Sequence, residues 1–155
     1  MNTERWRRLS DATSFAFTIH ADQVRKETTI PYVAHLMSVA AIVLEHGGNE
    51  EQAIAGLLHD AVEDCGVEQE PPIVERFGTR VAHIVRARTD AETFPKPPSM
   101  ERKEAYIAPL EHTDSDALLV SCADKVHNAR AICADLRTHR LAVFDRFNGG
   151  QEGTL

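Results

Sequence analysis

The apolar run at residues 53–58 is followed at once by one imidazole and three carboxylates, which belong to His59, Asp60, Glu63 and Asp64. The run predicts a buried helix, and buried charge is costly unless it is paired or binds a metal. At about 100° per residue, the four polar side chains fall on one arc of roughly 140°. Such nitrogen and oxygen ligands suit a divalent metal like Mn, Fe or Zn rather than a thiolate site. The stretch therefore predicts part of a metal centre whose other ligands lie elsewhere in the chain.

Length and composition exclude several classes of protein. A chain of 155 residues predicts a single domain with a full core. No segment has the apolar length of a membrane span, and residues 1–22 lack the pattern of a secretory signal or membrane anchor. A net charge of −7 argues against broad nucleic-acid binding, although a small anionic ligand needs only a local positive patch and a metal. The three cysteines form no Cys-x-x-Cys pair, so we expect buried thiols in a reducing cytoplasm.

The hydrophobic pattern is helical nearly throughout and predicts an all-α domain over residues 1–146. The second helix is expected to begin at Pro31, with Leu36 facing inward. One stripe of the first helix is expected to contain Trp6, Leu9, Thr13, Phe17 and His20. The predicted helices cover residues 3–21, 31–45, 50 to the acidic cluster, 72–77, 79–88, 99–112 and a long last segment from 114 or 115. The predicted loops are residues 66–72 and the Pro-rich residues 89–98, the latter being the best candidate for a mobile loop, and residues 147–155 form a flexible tail.

Two further polar residues interrupt apolar helices and are candidates for the remaining ligands. Asp124 follows the mainly apolar run at residues 118–123, and beside a predicted metal cluster a ligand is the better interpretation of it. His35 has apolar neighbours and would, taken alone, be an ordinary core histidine. It becomes a candidate only because two or three further ligands are needed. Asn128 and His127, one turn past Asp124, give this helix a second polar face.

Basic residues that could meet an anionic ligand are few and scattered. Arg25 and Lys26 form a short pair in the link between the first two helices, which by itself is most simply a solvated turn. Arg130, two residues past Asn128, either reaches the site or pairs with an acid. Neither feature identifies a ligand without further information.

Several motifs in a fixed order resemble a known family. They resemble the hydrolase domain of the RelA/SpoT proteins, in the HD superfamily of metal-dependent phosphohydrolases, over about residues 15–136. A His-Asp pair alone is common, whereas the ordered set is highly specific. The motifs are Gln23-Val24-Arg25-Lys26, Pro31-Tyr32-Val33-Ala34-His35, Leu57-Leu58-His59-Asp60-Ala61-Val62-Glu63-Asp64, Phe77-Gly78 and Ala123-Asp124-Lys125-Val126-His127-Asn128.

The resemblance implies an HD-type helical bundle and a stand-alone small alarmone hydrolase, similar to the metazoan SpoT homologues. Such enzymes remove the 3′-pyrophosphate of (p)ppGpp, giving GDP or GTP and pyrophosphate, usually with Mn²⁺. By motif position the resemblance implies a set of metal ligands, namely His35, His59, Asp60 and Asp124. It also implies two catalytic acids, Glu63 and Asp64, and three substrate contacts, Arg25, Lys26 and Asn128.

The chain departs from the family pattern at positions outside the implied ligand set. Leu36 stands where long members often have Pro, and Ala131 stands where many have Thr, so we expect one ribose contact to be missing. Relatives usually continue past residues 147–150 with another helix. We therefore expect this helix to be absent or supplied by a partner, and a homo-oligomer is one arrangement that the sequence permits.

Three functions are compatible with these motifs. An alarmone pyrophosphohydrolase is favoured. A second hypothesis keeps the metal and the acids but changes the nucleotide, to a ppApp-like alarmone or to a 2′- or 3′-phosphate such as that of NADPH. A third is an inactive nucleotide-binding regulatory domain, against which the complete set of ligands and acids counts.

Overall fold

The computed structural model describes Glu4 and residues 6–89 and 114–146, and the architecture within these ranges is a bundle of helices. There the backbone forms no strand, only an isolated antiparallel bridge between Val24 and Pro31. The all-α class predicted from the sequence is therefore confirmed. The helices are α1 (Arg7–Ile19), α2 (Val33–Glu45), α3 (Glu50–Leu58), α4 (Ala61–Cys65), α5 (Glu70–Phe77), α6 (Thr79–Thr89) and α7 (Ser115–His139), with 3₁₀ turns at Val67–Gln69 and Arg140–Arg146.

Helix α3 lies at the centre of the bundle. Its residues from Gln52 to Leu58 are all buried, because the helix contacts α1, α2, α6 and α7 and is apolar on every side from Ala53 onward. A Cβ atom at Gly56 would lie 3.3 Å from the Cα atom of Ala40 in α2. The glycine therefore allows α2 and α3 to approach closely, and these are the helices that position two of the candidate ligands.

One glutamine both caps α3 and ties it to α7. The side chain of Asn49 accepts a hydrogen bond from the Gln52 backbone N (3.0 Å), and Gln52 Oε1 accepts one from the Asn49 backbone N (2.7 Å). Such a capping box contributes about 1 kcal/mol to helix stability. Gln52 Nε2 also donates to Asp116 Oδ1 at the start of α7 (3.0 Å). The two helices are thereby held in register at their N-terminal ends.

The buried face of α1 differs from the predicted stripe. Trp6 and Phe17 are 44% and 40% exposed, whereas the buried residues of this helix are Ala12, Phe15 and Ala16. The prediction was therefore wrong for Trp6 and Phe17, because an aromatic residue that follows the helical period need not face the core. It holds for Leu9, which packs against the core, and for His20, which is buried.

The ends of two other segments also differ from expectation. Pro31 does not open the second helix, because it pairs with Val24 in the isolated bridge and α2 begins at Val33. Residues 66–72 are not a continuous loop, since they contain the 3₁₀ turn and the start of α5. The inward face of α2 is confirmed, with Leu36 fully buried.

The chain breaks its helix at the acidic cluster instead of continuing through it. Helix α3 ends at Leu58, Asp60 adopts φ −102° and ψ 2°, and α4 starts at Ala61. The single helical arc predicted for His59, Asp60, Glu63 and Asp64 is therefore wrong. Adjacent residues of a regular helix do not face each other, whereas here His59 Nε2 lies 2.8 Å from Asp60 Oδ2. The break itself brings these two side chains together.

The expectation of buried thiols was wrong for two cysteines. Cys122 and Cys133 are exposed on α7, and Cys65 is half-buried at the end of α4. All three side chains are free thiols.

Several predictions fall outside the described residues. They are the Pro-rich loop after residue 89, the helix at residues 99–112 and the tail at residues 147–155. Thr89, predicted as the first residue of that loop, is the last residue of α6. The boundary at residue 146 stays a prediction. Among the described residues, no helix combines the length and hydropathy that crossing a membrane requires.

Candidate metal centre

Two histidines and an aspartate from three parts of the bundle converge on one buried point. His35 lies in the first turn of α2, His59 follows the end of α3, and Asp124 lies in the middle of α7. One potential ligand atom from each falls within 4.8 Å of the others. Asp124 Oδ1 is 3.3 Å from His35 Nε2 and 3.8 Å from His59 Nε2. The three residues are thus arranged to share one ion.

Asp60 places a second carboxylate oxygen next to these three atoms. Its Oδ2 atom lies 2.8 Å from His59 Nε2 and 4.0 Å from His35 Nε2. The same oxygen accepts a hydrogen bond from the Tyr32 hydroxyl (2.5 Å). Burial opposes ionisation of Asp60, but the neighbouring His59 and the hydroxyl of Tyr32 outweigh it and hold the pKa of this carboxyl below its usual range. Asp60 is therefore a carboxylate, as a ligand must be.

The hydrogen bonds of the two histidines leave their Nε2 atoms directed at the centre. His59 Nδ1 lies 2.8 Å from the carbonyl oxygen of Gly56, so Nδ1 carries the proton. His35 Nδ1 lies 2.7 Å from His127 Nδ1, and an Arg25 guanidinium nitrogen lies 3.3 Å from that same atom. Because a guanidinium only donates, His127 Nδ1 is an acceptor and the shared proton belongs to His35.

Burial shifts the pKa values of a candidate ligand, His35, and of two residues that contact the candidate ligands, His127 and Tyr32. Burial lowers the pKa of His35, so its imidazole is neutral at physiological pH. Burial and the neighbouring His35 lower the pKa of His127 to about 4. Burial, followed by the charge of Asp60, raises the pKa of Tyr32, which therefore remains a hydrogen-bond donor.

Asp124 has a different partner on each oxygen. Oδ1 faces the histidines and accepts a hydrogen bond from Asn128 Nδ2 (2.6 Å), whereas Oδ2 lies 2.9 Å from the exposed Lys125 Nζ. Outer hydrogen bonds of this kind orient metal ligands in proteins. Two imidazole nitrogens and two carboxylate oxygens form a donor set that fits a divalent cation such as Mn, Fe or Zn. The cluster of His35, His59 and Asp124 is therefore suited to a divalent cation, whereas the full set of four ligands stays a prediction.

The two predicted catalytic acids lie on α4, directly after the ligand pair. Glu63 is half-buried and Asp64 is exposed. The Asp64 backbone N donates to the Asp60 carbonyl (2.8 Å), which fixes the helix turn between them. The side chain of Asp64 accepts a hydrogen bond from Gln23 Nε2 (2.7 Å). Asp64 therefore belongs to a hydrogen-bond network that starts in the loop between α1 and α2.

Two of the three predicted substrate contacts are brought together. Arg25 donates to Asn128 Oδ1 (3.0 Å), across more than a hundred residues of sequence. Through Asn128 the guanidinium is connected to the Asp124 carboxylate. Lys26 is exposed on the same loop as Arg25, and no hydrogen bond or ion pair in the described part of the chain links it to this group.

Three residues of the site were not identified from the sequence. The sequence shows His127 only as a polar neighbour of Asp124. Its position three residues after Asp124, on the same face of the helix, is the one indication that it lies near the site. Tyr32 and Gln23 lie inside two of the motifs, but nothing in their spacing showed that they hydrogen-bond to Asp60 and Asp64.

Comparisons with known proteins agree with this geometry. A family model described as HD domain matches residues 12–154. The chain is 40% identical over 125 residues to the Xenopus tropicalis protein named guanosine-3′,5′-bis(diphosphate) 3′-pyrophosphohydrolase MESH1, covering 79% of this chain and 68% of that one. Identity to the human protein of the same name is 35% over the same shares.

A solved structure is also similar over most of its length. It covers 92% of this chain and 86% of its own, with a TM-score of 0.72 and 26% sequence identity. That structure is described as a metazoan ortholog of SpoT that hydrolyses ppGpp and plays a role in starvation responses.

Proposed function

Because this chain belongs to the HD-domain family, and within it to the group that contains the vertebrate MESH1 proteins, we propose that it is a metal-dependent 3′-pyrophosphohydrolase of (p)ppGpp. The products are GDP or GTP and pyrophosphate. The observation that carries the proposal is the convergence of the His35 and His59 imidazoles and the Asp124 carboxylate on one buried point, with the Asp60 carboxylate 2.8 Å from His59 Nε2. The names of the relatives support the choice of substrate.

The four converging side chains, His35, His59, Asp60 and Asp124, would hold the cation, with Mn²⁺ as the proposed ion. When bound, a divalent cation lowers the pKa of its water and stabilises negative charge on phosphoryl oxygens. The rest of the chemistry belongs to the residues around it.

Water attacks the phosphorus atom attached to the ribose 3′-oxygen. A bond forms between the water oxygen and the phosphorus, and the bond between the phosphorus and the 3′-oxygen breaks. Glu63, half-buried one turn after His59, orients this water or takes its proton. Asp64 acts as a second acid or base, or holds the water by a hydrogen bond. The ribose 3′-oxygen leaves with a proton as a hydroxyl group, and the transferred group leaves as pyrophosphate.

Arg25, Lys26 and Asn128 bind the nucleotide. The guanidinium of Arg25 is already held by Asn128 (3.0 Å), and a planar, permanently charged group suits either a phosphate or a stacked base. Lys26, exposed on the same loop, contributes a mobile point charge. In a chain of net charge −7, a polyanionic substrate depends on such local cations.

The decisive experiment measures pyrophosphate release from ppGpp by metal-stripped protein, with and without added Mn²⁺. We expect release that requires Mn²⁺ and that Asp60→Ala abolishes. Asp22→Ala, an exposed aspartate in the loop after α1, is the matched control and should behave as wild type.

Other outcomes would redirect or overturn the proposal. Activity on ppApp or NADPH but not on ppGpp would keep the reaction and change the substrate. Release that persists in Asp60→Ala would remove Asp60 from the site. Metal binding without turnover of any of these nucleotides would favour a binding domain.

A further inference from the structure

His20 is a buried histidine with no part in the proposed chemistry. It is 1% exposed and lies just after α1, at the position of its C-cap. Its ring has polar or aromatic neighbours on several sides, which are Gln23, Tyr32 and Cys65. Two of these neighbours are the residues that contact the acidic side chains of the site.

The first connection runs from His20 through Gln23 to Asp64. Gln23 Nε2 lies 2.7 Å from Asp64 Oδ2, and a carboxylate only accepts hydrogen bonds. The NH₂ end of the Gln23 amide must therefore face Asp64. The amide oxygen then faces His20 Nδ1 at 2.6 Å, so this nitrogen carries the imidazole proton. His20 thus fixes which end of the amide points at the carboxylate.

The second connection runs from His20 through Tyr32 to Asp60. The His20 and Tyr32 rings pack with centroids 5.5 Å apart and planes tilted by 35°. The Tyr32 hydroxyl donates to Asp60 Oδ2 (2.5 Å). Since Tyr32 also packs against His35, with centroids 5.4 Å apart, His20 packs against a ring that touches two candidate ligands.

We propose that His20 is a positioning residue that orients the catalytic acid Asp64 through Gln23 and the metal ligand Asp60 through Tyr32. The inference deepens the proposed function and rests on it for the role of Asp64. An imidazole suits both tasks, because it combines a flat ring for packing with a hydrogen-bond donor at its edge. Cys65 completes the enclosure, with its thiol donating to the Ile19 carbonyl (3.3 Å) and lying 3.5 Å from His20 Nδ1.

Two substitutions separate the two connections. His20→Phe keeps a ring against Tyr32 but removes the donor to Gln23. His20→Asn keeps a nitrogen donor close to the position of Nδ1 but removes the ring. The two variants are therefore matched controls for each other, and circular dichroism and thermal unfolding verify that both are folded.

We expect the two variants to fail in different measurements. In His20→Phe, kcat for ppGpp should fall about tenfold at saturating Mn²⁺, with KM and Mn²⁺ affinity unchanged, in line with the loss of an outer hydrogen bond. In His20→Asn, Mn²⁺ affinity measured by calorimetry should fall about tenfold, while kcat at saturating Mn²⁺ stays close to wild type. A purely structural role would lower both quantities in both variants.

A double-mutant cycle tests whether His20 acts on Asp64 through Gln23. Gln23→Met removes the amide from a half-buried loop position and should reproduce the kcat defect of His20→Phe. Combining the two should add nothing, because residues that act through one another are not additive. Additive losses would overturn the connection through Gln23.

A measurement on the unmodified protein applies even if the His20 variants do not fold. Two-bond ¹⁵N–¹H NMR spectra identify the protonated ring nitrogen, and we expect it to be Nδ1 of His20. A proton on Nε2 alone would overturn the proposal, as would His20→Phe with wild-type kcat.

Failure of the proposed function is distinguishable from failure of this inference. If the wild-type protein does not release pyrophosphate from ppGpp, the proposed function fails on its own. The Mn²⁺ affinities of His20→Asn and His20→Phe then still decide the connection to Asp60, and the NMR tautomer still decides the connection to Gln23.

Discussion

Helix α7 carries acidic residues in two places, and the groups that face their carboxylates differ between the two. At its start, Asp114 and Asp116 pair with the guanidinium of Arg80 from α6. These three side chains are 25–39% exposed. In its middle, Asp124 is 4% exposed and faces His35 and His59. The exposed Lys125 and the half-buried Asn128 contact its carboxylate.

The difference shows which acidic cluster is suited to bind a cation. In the Arg80 cluster a guanidinium of the chain itself forms ion pairs with both carboxylates. In the buried cluster Asp124 and Asp60 lie beside the imidazoles of His35 and His59, and nitrogen and oxygen atoms of these kinds are ligands of a divalent cation. The same residue type thus stabilises the fold at one end of α7 and forms a candidate metal site in the middle.

The largest effect on pyrophosphate release is expected from an Asp-to-Asn substitution in the buried cluster, compared with the same substitution in the Arg80 cluster. Asp124→Asn should reduce pyrophosphate release by more than about 100-fold, beyond the usual cost of losing an outer hydrogen bond to a metal ligand. Asp116→Asn, on the same helix but in the Arg80 cluster, is the matched control and should keep wild-type turnover. Equal losses in both variants would mean that α7 is merely sensitive to losing a charge.

Removal of the metal should lower the thermal stability of the protein, and this effect should depend on the residues of the buried cluster. A ligand present at a hundred times its Kd stabilises by about 2.7 kcal/mol, which for a chain of this size corresponds to about 5–10 °C in Tm. We expect a chelator to lower Tm by this amount and added Mn²⁺ to restore it, as followed by circular dichroism. Asp60→Ala should show no Mn²⁺-dependent shift. A shift that survives in this variant would place the stabilising ion elsewhere.

A smaller effect should follow from removing one outer hydrogen bond of the buried cluster. Tyr32→Phe deletes the hydroxyl that donates to Asp60 (2.5 Å) and keeps the ring. We expect Mn²⁺ affinity, measured by calorimetry, to fall about tenfold. Unchanged affinity would show that Asp60 needs no help from Tyr32 to hold its orientation.

The smallest effect is expected in the exposed cluster. Arg80→Met should lower Tm slightly, less so at high salt, and leave turnover unchanged, because exposed ion pairs are screened by solvent. The hydrogen bond from Arg80, together with the Asp116 backbone, holds the pKa of Asp114 below its usual range.

That pKa shift fixes how the effect of Arg80→Met depends on pH. The stabilisation is fully present above the ordinary aspartate pKa of about 4 and is lost as pH falls through the lower pKa of the folded state. The difference in Tm between wild type and Arg80→Met should therefore shrink on acidification below about pH 4. A difference that grows there would contradict the ion pair.

Sequence reasoning succeeded where local periodicity decides the outcome. The inward face of α2, with Leu36 and Val43 fully buried, follows from the spacing of its apolar residues alone. It failed for the aromatic residues of α1, where Phe15 rather than Phe17 is buried. Phe15 packs edge-on against Phe77 of α5, with ring centroids 5.8 Å apart, and the position of that partner is not encoded in the period of α1.

The residues around the candidate metal site show the same division. His59 and Asp60 were found because an abrupt change from apolar to acidic residues is visible in a single stretch. The helix break that turns them toward each other was missed, since it depends on φ and ψ at Asp60. The pairing of His35 with His127 joins residues 92 positions apart, and no local pattern predicts such a contact.

By itself, the sequence determined that the chain is helical, that α2 has one buried face and that it carries histidines and acids suited to a divalent cation. These properties depend on residue types and on spacing within one helix. Only the tertiary structure decided that Tyr32 holds Asp60, that Gln23 holds Asp64 and that His20 lies behind both. Those contacts depend on where helices and loops meet, because hydrogen bonds and ring packing require distances that the packing of the whole bundle sets.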